Sequence, residues 1–487
     1  MKIFLLFILF PIITYGQIQI GQDINGVSLE DHFGTSTSLS CDGTILAVGA
    51  FNNDGNGINS GQVQIFENQN NTWIQIGQNI DGEVIGDHFG SSISISCDGN
   101  ILAIGASNSN NNSGLVQVYE NVSGVWTQIG NDISGETSQR FFGRSVSLSS
   151  DGKIVAIGAN LSNGDGPIAG QVSIYKNQGN SWVQVGNDIN QTTAADVLGT
   201  TVSISANGSV VAIGTPYDNE NGFTLGHVRI YRNQGNSWIQ IGDDISNGQI
   251  GDQFGRDLCL SSNGSIVAIS SMITNNDDEQ IGHVSIYKQE EGSWIQTGDD
   301  IEGEIDEDQF GRGLSLSSDG SIVAIGARLS NDNGLASGQV RIYQNQENIW
   351  RQIGNDINGD MTGDQAGTSV SLSSNGSIVA IGSNFSNGGK GEVRVFDLNG
   401  LLLSINTTTI ASRFKLFPNP AVTTVHIEFP EEEEIVLQKI TMYNSVGQLV
   451  YTTTQQTNID TSQFSKGMYF IKIRTDKGVS SKRLIIE

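Results

Sequence analysis

The chain has 487 residues, of which 61 are Gly and only 6 are Pro, and its 51 Asp and Glu outnumber its 24 Lys and Arg. This length allows two or three domains or one large repeat ring, and the Gly-rich composition favours short strands and tight turns over an α/β enzyme. A net charge of −27 repels phosphate backbones and anionic lipid, so the sequence argues against nucleic-acid binding and membrane-surface binding.

The first sixteen residues have the pattern of a signal peptide. Lys2 precedes an apolar run from Ile3 to Ile13, and Thr14-Tyr15-Gly16 offers a small-x-small cleavage site. The alternative is a membrane anchor, but the run is too short for a hydrocarbon layer of roughly 30 Å. No other stretch of the sequence has the length and apolarity of a transmembrane segment. We therefore predict export, with residues 1–16 as the signal peptide.

Residues 17–403 contain seven copies of one repeat. Two glycines recur through it with the same steps of 56, 53, 56, 56, 56 and 56 residues, and two independent markers with equal steps make the count firm. One marker follows the Trp strand and the other ends a Ser-x-Asp/Asn-Gly turn. The first set is Gly21, Gly77, Gly130, Gly186, Gly242, Gly298 and Gly354, and the second is Gly43, Gly99, Gly152, Gly208, Gly264, Gly320 and Gly376.

Each repeat carries four strand signals, as the third copy illustrates. The run 145–149 alternates apolar and polar residues, and Asp151-Gly152 is a two-residue hairpin turn. The continuous apolar run 154–158 suits a strand buried on both faces, and two further strands cover 170–175 and 182–185. Four short antiparallel strands per repeat are typical of a propeller blade. The predicted fold class is therefore all-β, a seven-bladed β-propeller with four-stranded blades.

The two ends of the array predict how the ring closes. It opens with a fourth-type strand at 18–21 and stops after a third-type strand at 393–396. Pairing the N-terminal strand with the last three would complete the seventh blade and remove two exposed sheet edges. The opening copy lacks the Trp of the other six, which we interpret as packing between blades, a sugar-binding role being the alternative. These six are Trp73, Trp126, Trp182, Trp238, Trp294 and Trp350.

Three cysteines do not make a disulfide framework. Cys41 and Cys97 occupy the same position in adjacent repeats, and a disulfide needs Cα atoms within about 7 Å. We expect equivalent points of neighbouring blades to lie farther apart than this. Cys259 lies in an apolar strand and is expected to be a small core residue.

The order of motifs within the repeat resembles the FG-GAP repeats of integrin α-subunit propellers. Phe33-Gly34 with Gly49-Ala50 shows the pattern, which recurs with substitutions, as at Leu198-Gly199. The resemblance implies the propeller fold. The calcium-binding copies of that family carry Asp-x-Asp-x-Asp-Gly between the first two strands, where this chain has a turn too short for six to eight oxygen ligands. The family's calcium sites therefore do not carry over.

One face of the predicted ring has the character of a binding surface. The variable loops between second and third strands emerge there together with the connections that enter each first strand. Those connections carry a ring of charged candidates, and the alternative is that each Asp caps its own turn. Oxygen-rich loops on the same face contain Asp54, Asp277 and Asp278, which are candidate calcium ligands. The ring consists of Asp31, Asp87, Asp196, Asp252, Asp308 and Asp364, with Arg140 in the remaining repeat.

The sequence gives no support to catalysis. It lacks a Gly-x-Ser-x-Gly elbow, a His-Glu-x-x-His pair and a phosphate-binding glycine loop, and no single repeat stands out chemically. We predict a non-catalytic binding or adhesion module for an extracellular glycan or protein, monomeric and without a cofactor, calcium being left open. The alternatives are a hydrolase or lyase for an extracellular polysaccharide or ester, with its site at the channel mouth, and a purely structural surface protein.

After a Thr-rich linker at 404–413, residues 414–487 change pattern and predict a small β-sandwich. Pro418-Asn419-Pro420, Gly447, the strand that starts at Gly467 and the basic last strand with Lys482 stand in sequence. Their order resembles the type A sorting domain of the type IX secretion system of Bacteroidota. The resemblance implies export through the Sec pathway, recognition by the outer-membrane translocon, and a secreted or cell-surface location. It also implies that the secretion machinery is a partner.

Overall fold

The computed structural model of the protein describes residues 16–135, 141–160, 170–190, 197–217, 226–246, 251–272, 275–276, 279–305, 307–402, 414–428, 437–444, 449–454, 457–475 and 478–487. The chain divides into two units, Gln17–Leu398 and one that contains Asn399–Glu487, and each is described by itself. The predicted signal peptide up to residue 15 and the predicted linker 404–413 lie outside the described residues.

The first unit contains seven antiparallel sheets that follow the repeat. The chain begins with β1 (Ile18–Gln19) and β2 (Ile24–Asn25). Blade 1 contains β3 (Phe33–Leu39), β4 (Ile45–Ala50), β5 (Gln62–Asn68), β6 (Trp73–Gln75) and β7 (Ile80–Asp81). Blade 2 contains β8 (Ser92–Ile95), β9 (Ile101–Ala106), β10 (Leu115–Val122), β11 (Val125–Gln128) and β12 (Ile133–Ser134). Blade 3 contains β13 (Phe142–Leu148), β14 (Ile154–Ala159), β15 (Gln171–Asn177), β16 (Trp182–Gln184) and β17 (Ile189–Asn190).

The remaining blades repeat this arrangement. Blade 4 contains β18 (Thr201–Ile204), β19 (Val210–Thr215), β20 (His227–Gln234) and β21 (Ser237–Gln240). Blade 5 contains β22 (Leu258–Leu260), β23 (Ile266–Ser271), β26 (His283–Glu290), β27 (Ser293–Gln296) and β28 (Ile301–Glu302), with a small hairpin of β24 (Asn275–Asn276) and β25 (Glu279–Gln280). Blade 6 contains β29 (Phe310–Leu316), β30 (Ile322–Ala327), β31 (Gln339–Gln346), β32 (Ile349–Gln352) and β33 (Ile357–Asn358). The last repeat contributes β34 (Ser369–Leu372), β35 (Ile378–Ser383) and β36 (Glu392–Asp397).

The seventh sheet closes the ring as predicted. Its strand order is β1-β36-β35-β34, with Ile18 opposite Asp397 and Gln19 opposite Phe396. Gln17 occupies the position that holds Trp in the other repeats, and its side-chain amide hydrogen-bonds to the backbone of Asn355 in blade 6. The N-terminal strand therefore both completes blade 7 and contacts its neighbour.

A closed ring of backbone hydrogen bonds joins the blades at the turns that end their innermost strands. Each amide donates to the carbonyl of the equivalent residue in the next blade, at 2.8–2.9 Å, and the seventh donates back to the first. Because neighbouring members are bonded directly, the ring is narrow, and it constricts the channel at this end. Its members, in order, are Cys41, Cys97, Ser150, Ala206, Ser262, Ser318 and Ser374.

The expectation that Cys41 and Cys97 lie too far apart to bridge is wrong. They form a disulfide with a Cα–Cα distance of 4.6 Å. Both residues belong to the hydrogen-bonded ring beside the channel axis, where equivalent points of adjacent blades nearly touch. The expected wide spacing applies to the outer strands, whose distance from the axis is larger. Cys259 is the free cysteine.

The core lies between the blades. Leu46, Ala47 and Val48 of β4 have no exposed surface, as expected for a second strand covered on both faces. At the next glycine, Gly49, an added Cβ would lie 2.2 Å from the carbonyl oxygen of Gly90 in blade 2, so blade contact demands glycine there. Each of the six Trp indole N–H groups donates to a backbone carbonyl of the preceding blade at 2.9–3.3 Å, as Trp73 does to Ile20. The predicted packing role of the Trp residues is therefore observed.

Two short helical turns, α1 (Ser109–Asn112) and α2 (Ser386–Gly389), lie in the loops between the second and third strands of blades 2 and 7. Each includes left-handed residues, such as Asn110 and Asn387, a conformation that Asn adopts more readily than most residues. Across the described ranges, no helix is long and apolar enough to span a bilayer.

The second unit has the two sheets of a β-sandwich. One contains β37 (Lys415–Phe417), β38 (Thr424–Glu428) and β41 (Asn458–Asp460). The other has the order β40-β39-β42-β43, formed by β39 (Leu437–Asn444), β40 (Leu449–Thr453), β42 (Gly467–Thr475) and β43 (Gly478–Ile486). Val425 from the first sheet and Ile440 and Ile471 from the second meet in the core without exposed surface.

Candidate binding site at the channel mouth

The predicted ring of Asp residues is buried in its own loops. Asp31 is 4% exposed, and its Oδ2 accepts hydrogen bonds from the Ser28 amide at 3.2 Å and from Asn53 Nδ2 at 2.9 Å. The Oδ2 of Asp364 accepts a hydrogen bond from the Met361 amide at 2.7 Å. These contacts are those of the capping alternative.

Burial also changes the acidity of this set. It raises the pKa of Asp87, and it raises the pKa of Asp308 to about 6 even though the Phe310 amide donates to the Asp308 carboxylate at 2.9 Å. Asp252 has no exposed surface. Asp196 and Arg140 lie outside the described residues. A ligand-binding role for the ring stays a prediction, and what the described members do in the structure is order the connections into the first strands.

Of the three candidate calcium ligands, one forms a hydrogen bond within its own loop and two lie outside the described residues. Asp54 Oδ1 accepts a hydrogen bond from the Asn59 amide at 2.8 Å within one loop. Asp277 and Asp278 lie outside the described residues. Among the residues that the structure does describe, no three His, Cys, Asp or Glu side chains are grouped so that they could hold a metal ion.

The channel opens on the predicted binding face through a cavity of about 480 Å³ with an aromatic wall. Four rings follow one another along it. The His32 ring lies 4.5 Å from that of Phe385 and 5.6 Å from that of Phe51, and Phe51 lies 5.3 Å from His88. Burial lowers the pKa of both His32 and His88, which keeps these imidazoles neutral at pH 7. The wall therefore presents uncharged ring faces and edges, and Phe385 is 41% exposed.

Four arginines line the channel beside and below this wall. Arg144, Arg256 and Arg312 each follow a Phe-Gly pair, so the propeller brings them to equivalent points around the axis, and Arg328 follows the second strand of blade 6. Two further cavities, of about 350 and 530 Å³, extend the space, and Arg312 lines all three. The channel is thus a continuous region of guanidinium groups open to the mouth.

Burial and the closeness of these cations to one another lower the pKa of channel arginines. Burial, followed by the charges of Arg256 and Arg328, lowers the pKa of Arg312 to about 9, which still leaves it charged at neutral pH. Burial and Arg256 likewise lower the pKa of Arg144. Asp257 lies among them, and its burial raises its pKa to about 6 in spite of the neighbouring guanidinium groups. Bringing a negatively charged ligand into the channel would relieve this repulsion.

Comparison of the repeats could have revealed this cluster. The position after Phe-Gly is occupied by Thr35, Ser91, Thr200 and Thr368 in four repeats and by Arg in the other three. Asp257 likewise stands where most repeats have Ser or Thr. The charged candidates predicted from the sequence lie in the connections that enter the first strands, whereas these charges lie at the start of the first strands themselves.

The predicted sorting residues tie the last strand of the second unit into its sandwich. Asn419, between Pro418 and Pro420, donates from Nδ2 to the Arg483 carbonyl and accepts at Oδ1 from the Ile485 amide, both at 2.9 Å. The Lys482 ammonium hydrogen-bonds to the Phe414 carbonyl and lies 4.9 Å from the centre of the Phe414 ring. Gly467 begins β42, and Gly447 lies outside the described residues.

Two family models match parts of the chain. Residues 415–487 match the secretion system C-terminal sorting domain, and residues 25–66 match the FG-GAP repeat. No curated protein matches the chain significantly.

Similar solved structures include a protein from Bacteroides uniformis provisionally assigned as a 6-phosphogluconolactonase, with 12% identity, a TM-score of 0.50, and coverage of 69% of this chain and 88% of that one. An oligogalacturonate lyase from Vibrio parahaemolyticus has 11% identity and a TM-score of 0.49 over 78% of this chain and 93% of that one. The Dos1 propeller has 13% identity and a TM-score of 0.42 over 79% and 95%. At 12% identity, the similarity to the protein from Bacteroides uniformis shows the fold alone.

The structure and the family matches agree on the organisation of the chain. Seven sheets arranged in a closed ring form the propeller, and the sorting domain marks proteins exported by type IX secretion. The chain therefore combines a β-propeller, in which residues 25–66 match the FG-GAP repeat, with a C-terminal sorting domain that directs it to the cell surface or the extracellular space.

Proposed function

We propose that the propeller is a non-catalytic binding module for an extracellular glycan or protein, and that the ligand binds at the channel mouth. The observation that carries this proposal is the cavity of about 480 Å³ with its wall of four rings. Cavities of this size, with aromatic walls and a few polar groups, are typical ligand sites. The sorting domain places the propeller where such ligands occur.

The polar part of the lining supports recognition rather than packing alone. Hydroxyl and amide groups line the mouth together with the rings, and such groups fix the orientation of a ligand through hydrogen bonds. They are contributed by Thr35, Ser91, Ser107, Asn108, Asn160, Thr368 and Asn384.

The test is binding of the purified full chain to glycan and protein arrays, repeated with Phe51→Ala and Phe385→Ala. We expect both variants to lose binding about tenfold, since each removes a ring surface at the mouth. Phe470→Ala is the matched control, because Phe470 is a similarly exposed ring, at 44%, in the second unit. Binding that is unchanged in both mouth variants would overturn the proposal.

The alternative is an enzyme, a hydrolase or lyase that acts on a polysaccharide or ester. The ligand found on the arrays also distinguishes this alternative from simple binding. A bound polymer incubated with the protein should remain intact by size-exclusion chromatography if the module only binds. Release of fragments, lost in the mouth variants, would instead favour catalysis at this site.

A further inference from the structure

We propose that the channel behind the mouth is an anion subsite that takes the carboxylate or sulfate groups of an acidic extracellular glycan. This deepens the proposed function and depends on the mouth being the binding site. The inference depends on the four arginines in the channel, on the absence of ion pairs between them and other described residues, and on the rings beside them.

The channel arginines differ from three arginines farther from the axis, which lie on the third strands of blades and are paired. Arg341 pairs with Glu304 at 2.7 Å, Arg394 with Asp360 at 2.8 Å, and Arg229 with Asp244 at 2.8 Å. Within the described part of the chain, no ion pair includes any of the four channel arginines. These three outer arginines are thus neutralised by carboxylates, whereas the innermost arginines line the channel.

The charge balance of the channel reverses that of the chain. Four guanidinium groups line the three cavities against two carboxylates, Asp257 and Glu307. In the whole chain acidic residues outnumber basic ones by 51 to 24. Of the four channel arginines, only Arg328 donates a side-chain hydrogen bond to another described residue, from its Nε to Gln309 Oε1 at 2.6 Å. Several planar donor groups are therefore free to bind oxyanions, for which guanidinium has the matching forked geometry.

The surroundings favour a glycan as the carrier of the anion. Ring faces next to hydroxyl and amide groups suit a sugar, which offers an apolar face and a rim of hydroxyls. The hydrogen-bonded ring that includes Cys41 and Cys97 narrows the far end of the channel. An acidic side group could therefore enter the channel from the mouth while the chain that bears it lies across the rings.

The test uses variants that the repeat itself supplies. Arg312→Thr and Arg144→Thr install the residue that three sister blades carry at the same position, so the fold has an accepted alternative there. Arg351→Thr is the control, since it removes one charge from an exposed site on β32. Calorimetry of the full chain would use oligogalacturonate and a chondroitin sulfate oligosaccharide as carboxylate and sulfate probes, a neutral cello-oligosaccharide, and polyglutamate.

We expect at least one acidic oligosaccharide to bind, and Arg312→Thr and Arg144→Thr each to weaken it about tenfold to a hundredfold, as loss of a charge-assisted hydrogen bond requires. Arg351→Thr should change affinity less than twofold. Raising the salt concentration to about 1 M should weaken binding, since screening then acts over about 3 Å. Tighter binding of oligogalacturonate than of the sulfated probe would identify carboxylate as the preferred group, and the reverse order would identify sulfate.

Three outcomes overturn the inference. One is equal binding of neutral and acidic oligosaccharides by all variants, which leaves the mouth as a binding site and removes the anion subsite. The second is polyglutamate binding as tight as or tighter than that of the acidic glycans, which would indicate that the ligand of the channel is an acidic protein. The third is acidic-glycan binding that survives both channel substitutions but is lost in Phe51→Ala, which confines recognition to the mouth.

Discussion

Replacing both cysteines of the inter-blade disulfide, in the variant Cys41→Ser/Cys97→Ser, is expected to lower the free energy of unfolding of the propeller. The disulfide joins residues 56 positions apart. The chain-entropy relation for a loop of this length gives a stabilisation of about 4 kcal/mol at 25 °C. The folded state should tolerate the change, because four of the five other ring positions already carry Ser and because the ring uses backbone groups.

The assay is equilibrium unfolding in urea, followed by Trp fluorescence. All six Trp residues lie within the propeller, so the signal reports on that unit and not on the sorting domain. The control is Ser262→Ala, which makes a similar change at a ring position without a disulfide and matches Ala206. Wild-type protein under reducing conditions should behave like the double variant.

Two results would refute this reasoning. The first is a double variant whose unfolding free energy lies within about 1 kcal/mol of wild type, well below the loop-entropy value. The second is labelling of the denatured, unreduced protein at three thiols instead of one, which would show that the disulfide does not form.

Three more predictions concern the blade contacts, the buried carboxylates and the sorting domain. Trp350→Phe should cost about 1 kcal/mol in urea unfolding, since it removes the indole hydrogen bond to the Thr297 carbonyl at 2.9 Å and keeps most of the ring. Burial raises the pKa of Asp308 to about 6 although the charge of Arg341 opposes the shift, so its contribution to stability is complete below about pH 4 and is lost as the pH rises through 6. The melting temperature of wild type relative to Asp308→Asn should therefore fall between pH 4 and 7, and a constant difference would contradict this. Asn419→Ala removes two hydrogen bonds to β43 and should destabilise the sorting domain by about 2 kcal/mol. The exported fraction of the protein, measured in the culture medium and at the cell surface, should then fall. The control Val422→Ala, at an exposed position, should change neither quantity.

Most of the fold could be predicted from spacing alone. Two glycine markers with equal steps defined seven repeats, and the strand types at 18–21 and 393–396 predicted the closing blade that β1 and β36 form. This works because a propeller blade is a local unit, so strand order within it follows chain order. The continuous apolar run of each second strand similarly predicted a strand buried on both faces.

The site was harder to predict because its features arise from radial distance, which spacing does not encode. Cys41 and Cys97 seemed too far apart only as long as all equivalent residues were treated alike, whereas the Cα atoms of these two residues, beside the axis, lie 4.6 Å apart. The same convergence gathers Arg144, Arg256 and Arg312 into one channel although at least 56 residues separate each from the next. The orientation of Asp31 into its own loop depends on Asn53, 22 residues away, and a repeat pattern does not show that contact.

A sevenfold ring also explains how a binding site can arise without disturbing its scaffold. The residue after Phe-Gly lies at the start of the innermost strand, where it contacts the channel, and the blade core is formed by neighbours such as Phe310. A change at this position from Thr to Arg therefore alters the channel and leaves the packing between blades in place. Three such changes bring three guanidinium groups to one axis. Burial, and then the charge of neighbouring arginines, lowers the pKa of Arg312 there, and an incoming anion would relieve the repulsion. The Arg312→Thr variant should accordingly melt at or above the wild-type temperature without ligand and gain less than wild type from an acidic oligosaccharide. A loss of stability in the ligand-free protein would show that these arginines support the fold instead.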